Sequence, residues 1–548
     1  MSDEERSSRR RSKASAGRAF RTLGYPLALA AGVLLALSFP KYGHPAIAWI
    51  ALVPLLIALT GRPIPGVLDG RERAERLPGQ PPLRAFLLGL VAGLVYFVGT
   101  VYWTNTVVAT YGQLATPVAI FAMLLLASYL ALYPAITALV TSLLIARAGA
   151  AGLLFAPAAW VATEFLRGYL FGGFPWVPLG NSQVTVLPVA QLASLLGVYG
   201  LSALVAFVNA GIAYSLLTTG RRRVQSVAAV ALVLAATAGW GTWRIADGSH
   251  TREGTPIRVG LVQGNIEQEL KWRRDQARRI FTTYVAMTRD VVRRGAQYVI
   301  WPESSTPFSF EGDPEGELAM RDLAREVKVP ILFGSDQAII GADGAVDRHY
   351  NAAFQLAPDG MTSAVYRKIH LVPFGEFVPL ADWLTFFPPL VQTLAGFAPF
   401  TPGDSMIMLP IGRHRASTAI CYEVVYPSLV REAVTGGSEL LTTITNDAWY
   451  GHSSAPYQHF AMAAMRAIEH GRYMARAANT GISGVVDPYG RVVAQSAIFE
   501  QVGLVEEARF LTGRTVYTTI GDLVAYVSMA IIVLAFVFLR RPALAGWP

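Results

Sequence analysis

One cysteine, Cys421, stands in a chain of 548 residues, which excludes any intrachain disulfide and any CxxC metal site. The histidines, among them His370, His452, His459 and His470, show no HExxH spacing, and GxSxG and Walker A patterns are absent. No zinc-hydrolase, serine-hydrolase or phosphate-loop chemistry is therefore signalled, and neither a metal nor a cofactor is expected. Charge is scarce too: 15% of residues are charged and 53% hydrophobic, where soluble domains average about 25% charged. With a mean hydropathy of +0.39, the whole chain is not an ordinary soluble protein. The net charge of +9 does not point to nucleic acid, because the arginines gather in short blocks between apolar runs, as topology signals do.

What is present begins with a basic tail, residues 1–22, carrying Arg9-Arg10-Arg11, Lys13, Arg18 and Arg21. It resembles the start of a signal peptide, but the apolar run that follows is long and leads into many more. Stretches able to span roughly 30 Å of hydrocarbon recur near 23–40, 44–60, 84–106, 117–146, 150–170, 186–217, 225–244 and 517–539. Basic connections occur between Arg62 and Arg84, around Arg147, at Arg221-Arg222-Arg223 and at Arg540-Arg541. The intervening ones hold only Lys41. This alternation satisfies the positive-inside rule with the amino terminus in the cytosol. The expectation is a polytopic α-helical membrane domain of about eight spans: seven over 23–245, an extracytoplasmic domain over 246–516, an eighth span over 517–539 and a cytosolic tail, 540–548.

Two details of the membrane part carry expectations. Glu164 and Arg167 interrupt the fifth stretch and, spaced as helical neighbours, are expected to pair near an interface. The loop Phe171–Gly180, rich in aromatics, Gly and Pro, is expected to form an interfacial aromatic belt. The sharper alternative is a floor beneath the soluble domain where a lipid enters sideways.

From about residue 250, strand-like runs alternate with helical patterns, which implies a layered α/β fold. Strands are expected at 257–262, 298–301, 330–333, 352–356, 416–420 and 440–444, and helices at 273–294, 315–327, 426–435 and 456–478. Residues 485–493, with Pro488 and Gly490, read as a hairpin.

Three strand ends carry chemistry. Glu303 follows the run Tyr298–Trp301 and Pro302, where burial would raise its pKa and make it a usable base; a helix N-terminal acid is the plainer reading. Lys368, His370 and Glu376 lie in the apolar, turn-rich segment Tyr366–Pro379. Cys421 ends the run Ser417–Ile420, with Glu423 two residues on. A free cysteine is most often a small buried hydrophobe, but a thiol where a strand turns into a helix suits a nucleophile. Together they make a working set: Glu303 takes the thiol proton and Cys421 attacks an acyl carbonyl. Lys368 and a backbone N–H near Tyr422 stabilise the oxyanion, the lysine also lowering the thiol pKa.

The order Glu in Trp301-Pro302-Glu303-Ser304, Lys in Tyr366-Arg367-Lys368, Cys in Ile420-Cys421-Tyr422-Glu423 resembles the nitrilase superfamily, which implies an αββα sandwich. Further motifs extend the likeness from the first span to the last: Thr163–Gly168, Gly173–Trp176, Leu261–Ile266, Lys271-Trp272, Thr445–Gly451, Gln458-His459, Met465–Glu469 and Asn479–Ile482. This fuller set is similar to the apolipoprotein N-acyltransferase family of bacterial membrane enzymes. The resemblance implies ping-pong transfer of an acyl chain from a phospholipid, usually phosphatidylethanolamine, through a Cys421 thioester. The acceptor would be the amino-terminal diacylglyceryl-cysteine of an apolipoprotein, at the inner membrane. It also implies that Glu376 and Glu423 support Lys368 and position the amine, while Trp272, Tyr422 and Trp449 line the entrance. Departures are small: the longer basic segments, and Ala478-Asn479-Thr480-Gly481 where Asn-Asn-Gly is commoner. Two rivals remain, a membrane-tethered amidohydrolase with the same three residues and a transporter carrying a sensor domain. Few charges lie within the spans, and no broken-helix pair is evident to support transport.

Overall fold

The computed structural model describes residues 23–61, 77–112, 114–342, 344–373, 375–377 and 400–539. The two tails, most of the basic stretch between Arg62 and Arg84, and Phe374, Val378 and Pro379 lie outside the described residues.

Apolar helices form where the apolar runs lie: α1 Leu23–Ala36 and α2 Pro45–Ala58, then α3 Pro82–Val101, α4 Thr116–Ala148, α5 Ala156–Arg167, α6 Ala193–Leu217 and α7 Gly220–Asp247. By length and composition four helical stretches suffice to cross a membrane: Pro82–Val101, Thr116–Arg167 (α4 running into α5), Ala193–Leu217 and Gly220–Thr251. Leu23–Ala36, Pro45–Ala58 and Leu523–Phe538 are shorter. The expected count of eight is thus not established by helix length among the described residues. Close packing rests on small residues. A Cβ added at Gly89 of α3 would lie 2.5 Å from the Ala138 Cβ of α4, and one at Gly93 would lie 2.9 Å from the Ala131 Cα.

The rest of the chain builds two six-stranded sheets. The first has the order β12-β1-β2-β3-β4-β5 and the second β11-β10-β9-β8-β7-β6. In the first, β1 (Thr255–Gln263), β2 (Tyr298–Ile300) and β3 (Ile331–Ile340) run parallel, flanked by antiparallel β12 (Val502–Phe510), β4 (Val346–Leu356) and β5 (Thr362–Arg367). The second repeats the plan. Its parallel centre is β7 (His414–Ile420), β8 (Leu440–Thr445) and β9 (Met474–Ala478), and antiparallel β6 (Leu409–Ile411), β10 (Gly484–Val486) and β11 (Val492–Gln495) complete it. The facing sides share one core in which Val259, Ile300 and Leu332 meet Ile420, Ile444 and Ala477. Helices α8 (Arg274–Arg293) and α9 (Pro314–Val327) cover the outer face of the first sheet through Tyr284, Val291, Met320 and Leu323. Helices α10 (Pro427–Thr435) and α11 (Ala455–His470) cover the second. The αββα expectation and the six expected strands hold.

The helix expected over 456–478 ends at His470, because Gly471 takes a left-handed φ of 59°. Residues 474–478 then form β9. That strand is buried on both faces, so it shows none of the period-two alternation that marks a half-buried strand.

The outer helical layer is also the roof of the membrane part. Residues of α10 and α11 share a single apolar core with α2, α3, α5 and α6, and in α11 every residue but Tyr457 and Ala461 is buried. The Phe171–Gly180 loop wedges in here rather than forming the expected belt. Trp176 is fully buried. Its Nε1 donates to Gln458 Oε1 at 2.7 Å, and its ring packs on Trp103 (5.0 Å) and stacks on Tyr422 (6.3 Å). Phe171 stays exposed. Glu164 and Arg167, expected to pair with each other, instead grip this loop from below. Arg167 Nη1 donates to the Trp176 carbonyl at 2.7 Å, and Glu164 Oε1 accepts from the Leu179 N–H at 2.7 Å. Helix α6 breaks at Gly197 (φ 67°), and the Val198 N–H that follows donates to Glu469 Oε1 of α11 at 2.8 Å. Helix α12 (Leu523–Phe538) returns to pack beside α5.

Replacing Trp176 with Ala removes this wedge. Truncating a fully buried tryptophan costs about 3–5 kcal/mol, so the unfolding midpoint in detergent, followed by intrinsic fluorescence, is expected to drop by several degrees.

Candidate active site

Each expected chemical residue sits just past a strand, where the sheet holds the backbone and the side chain is free to point along the sheet edge. Trp301-Pro302 carry the chain from β2 to Glu303, and Lys368 follows β5 directly. Cys421 follows β7 and opens a short helical turn, Cys421–Val425. Its φ of +53° is uncommon for a residue with a Cβ, and such strain is concentrated at functional positions.

The structure brings Glu303, Lys368 and Glu376 into hydrogen-bonding contact. Lys368 Nζ donates to Glu376 Oε1 at 2.8 Å and lies 3.6 Å from Glu303 Oε1. Asn351 Nδ2 bridges the two carboxylates, at 2.8 Å from Glu303 Oε1 and 2.9 Å from Glu376 Oε1. The Asn446 N–H donates to Glu303 Oε2 at 2.9 Å, and the Val372 N–H to Glu376 Oε2 at 2.7 Å. Burial opposes the charge on Lys368, but Glu376 and Glu303 more than offset it, and its pKa is raised. The group is a permanent ammonium.

Cys421 is buried and within electrostatic reach of both Glu303 and Lys368. Burial and then the Glu303 charge raise its pKa, and Lys368 only partly opposes them. Lys368 lowers the thiol pKa as expected, but the net shift is upward, because desolvation of a thiolate outweighs one nearby cation. At rest the sulfur carries its proton.

Glu423 is fully buried. Its Oε1 accepts from Tyr366 Oη (2.9 Å), Ile369 N (2.6 Å) and His370 N (3.1 Å), and its Oε2 accepts from Ile420 N (2.7 Å). It staples the backbone after Lys368 to the end of β7. Burial pushes its carboxyl up to about 7, against the pull of these amides and Lys368. Of the three aromatics expected at an entrance, Trp272 is 50% exposed. Trp449 packs edge-on against Tyr111 of the membrane part at 4.6 Å, and Tyr422 is buried under the Trp176 loop.

Sequence reasoning passed over four groups. Asn351 and Asn446 orient Glu303, as above. Lys271, quoted only within a motif, is buried with Nζ 3.1 Å from the Glu303 carbonyl oxygen, and burial lowers its pKa to about 8. His459, considered only as a metal ligand and as part of a motif, donates from Nε2 to the Cys421 carbonyl at 3.1 Å. The available signal was a lone polar residue inside an apolar run, as with Asn351 before Ala352-Ala353-Phe354.

Two sheets of this topology, with a carboxylate, a lysine and a cysteine at strand ends of both, define a carbon–nitrogen hydrolase fold joined to a helical membrane part. The chain matches the family described as Carbon-nitrogen hydrolase over residues 258–509 and that described as Apolipoprotein N-acyltransferase N-terminal domain over residues 31–211. It is 38% identical to the apolipoprotein N-acyltransferase of Geobacter metallireducens over 94% of this chain and 96% of that one. The corresponding figures for the apolipoprotein N-acyltransferase of Methylococcus capsulatus are 36%, 90% and 92%, and for that of Gloeobacter violaceus 33%, 97% and 97%. A solved amidase of the nitrilase superfamily from Nesterenkonia is 21% identical, with a TM-score of 0.35, over 47% of this chain and 93% of that one. The chain belongs to the apolipoprotein N-acyltransferase family and is an acyltransferase.

Gly334 of β3 backs Glu303: a Cβ there would lie 2.4 Å from Ser304 N and 2.7 Å from Glu303 Cα. Gly334→Ala is expected to displace the carboxylate and lower the acyl-transfer rate about a hundredfold, the cost of an ångström-scale misplacement. A second expectation concerns pH. With a folded pKa of about 7 against an ordinary 4.5, Glu423 holds a proton that the unfolded chain has released between those values. Its contribution to stability is therefore present below about pH 4.5 and lost as pH rises to about 7. The stability of the wild type relative to Glu423→Gln, from denaturant unfolding, is expected to fall across that window.

Proposed function

We propose that this protein N-acylates the amino-terminal diacylglyceryl-cysteine of bacterial apolipoproteins, taking the acyl chain from a phospholipid, phosphatidylethanolamine foremost. The observation that carries the reading is a buried thiol, Cys421, within electrostatic reach of Glu303 and of Lys368, whose ammonium lies 2.8 Å from Glu376 and 3.6 Å from Glu303, in a chain of this family. Glu303 takes the Sγ proton as Cys421 attacks the ester carbonyl. The resulting oxyanion is held by Lys368 and the Tyr422 N–H, whose place at the start of a helical turn leaves it without an acceptor inside that turn. Collapse breaks the ester bond, and the lysophospholipid oxygen leaves with the proton from Glu303. The lipoprotein amine then attacks the thioester and gives a proton to Glu303, which returns it to the departing sulfur. The C–S bond breaks and an amide forms. Trp272 and Trp449 suit an entrance for the acyl chains, whereas Tyr422 contributes its backbone; Glu376 and Glu423 hold Lys368 and the segment behind it.

The same proposal places the protein in the bacterial inner membrane with eight spans and the sandwich, over 246–516, on the extracytoplasmic side. The alternation of basic loops supports this orientation.

Cells expressing the protein and fed an alkyne fatty acid are expected to show a hydroxylamine-labile label on the wild type and none on Cys421→Ala. Glu303→Gln is expected to slow label formation at least about a hundredfold. A labelled enzyme that releases only free fatty acid and yields no triacylated lipoprotein would replace this reading with that of a hydrolase.

A further inference from the structure

We infer that His459 is a positioning residue for the oxyanion donor, setting the Cys421–Tyr422 peptide so that the Tyr422 N–H faces the reacting carbonyl oxygen. The inference rests on the function proposed above and adds a residue to it.

The argument begins with the peptide unit. A trans peptide is planar, so its C=O and N–H point in opposite directions and move as one body. The Tyr422 N–H belongs to the same plane as the Cys421 carbonyl, and that carbonyl accepts from His459 Nε2 at 3.1 Å. Whatever holds the oxygen end aims the hydrogen end. The grip is needed here because Cys421 sits at a φ of +53°, a conformation from which a residue with a Cβ tends to relax. Rotation of this peptide would swing the amide away from the sulfur without moving β7.

The ring itself is fixed on every side. His459 is fully buried in α11. Its Nδ1 is 3.0 Å from Arg476 Nη2 of β9 and 3.0 Å from Asp447 Oδ1, just past β8. Arg476 Nη2 also donates to Asp447 Oδ2 at 2.8 Å, and Thr445 Oγ1 to Asp447 Oδ1 at 2.9 Å. A carbonyl only accepts, so Nε2 carries the hydrogen; Nδ1 lies between a guanidinium donor and a carboxylate acceptor at equal distance, and the two together hold the ring in place. Burial and the Arg476 charge lower the imidazole pKa, against the opposing pull of Asp447. The aromatic wall beside the ring is Trp176, 5.5 Å away, from the membrane part. The peptide beside the nucleophile is thereby tied both to the strand ends of its own sheet and to the wedge beneath it.

The sole cysteine supplies a test that separates aim from architecture. Full-length wild type, His459→Ala and His459→Gln are purified in detergent with phosphatidylethanolamine. Two rates at Cys421 are then compared: thioester formation, and alkylation by iodoacetamide. Alkylation displaces iodide at a saturated carbon and creates no oxyanion. His459→Ala is expected to slow thioester formation about 10–100-fold, in kcat rather than KM, with alkylation within about twofold of wild type. His459→Gln, whose amide retains a donor, is expected to recover part of the loss. Thioester formation at the wild-type rate in both variants, or thioester formation and alkylation falling in parallel, would overturn the inference. Absence of a thioester on the wild type would overturn the proposed function, and this inference with it.

Discussion

A buried ammonium held by two carboxylates is the constraint around which the rest of the structure is arranged. Lys368 lies 2.8 Å from Glu376 and 3.6 Å from Glu303. Removing such charges from water costs several kcal/mol each unless geometry and extra hydrogen bonds compensate. Compensation here is complete for the carboxylate oxygens: Asn351, Asn446 N–H and Val372 N–H supply donors beyond the lysine. Glu376 is the nearer partner of Lys368, and Glu303, the more distant one, is the base in the proposed mechanism. The sulfur beside this set is then forced to stay protonated, since a thiolate would add one more buried negative charge. On the proposed mechanism the nucleophile exists only while Glu303 holds its proton and an acyl carbonyl is in reach. A resting thiol of this kind is also poorly disposed to oxidation, which attacks accessible thiolates.

The tolerance of that charge set is narrow, and the fold answers it with stiff elements. All three chemical side chains follow strands, two in the first sheet and one in the second, so the site is assembled by the face-to-face packing of the sandwich. Glu423 crosses between the halves, accepting from the amides of Ile369 and His370 behind Lys368 and from Ile420 before Cys421. Lysine and thiol are therefore fixed relative to one another by a backbone-to-backbone staple as well as by apolar contact. A carboxylate that reads from sequence as a possible participant in the chemistry is engaged instead on all sides by its own protein.

The parts of this arrangement legible in sequence are those with local signatures. Strands β1, β2, β3 and β7 read as apolar runs ended by turn residues, and the strand-end positions of Glu303 and Cys421 follow from β2 and β7; Lys368 follows β5, which is not among the expected strands. Strand β9 was masked because it is buried on both faces and follows a helix of similar composition, so only Gly471 marks the boundary. Asn351 was invisible because its partners, Glu303 and Glu376, are 48 and 25 residues away in the chain. The net rise of the thiol pKa was hidden for a related reason: the lysine's lowering effect is suggested by motif order, whereas desolvation depends on everything packed around the sulfur. The Trp176 loop failed as a belt because composition gives its affinity for an interface but not the α11 surface that occludes it.

That surface is where the two halves of the chain become one. Helix α11 is buried on the side facing β8 and β9 and on the side facing α6 and the Trp176 loop. Its polar groups are spent across the junction, Gln458 on Trp176 and Glu469 on the Val198 amide. The residue between them in the chain that reaches inward, His459, holds the Cys421 carbonyl. Separating the sandwich from the helices would expose the apolar face of α10 and α11 and leave Gln458 and Glu469 without these partners. It would also take away the wall behind the His459 ring. The membrane part is thus more than an anchor: the helix that roofs it is the same helix that reaches the Cys421 peptide.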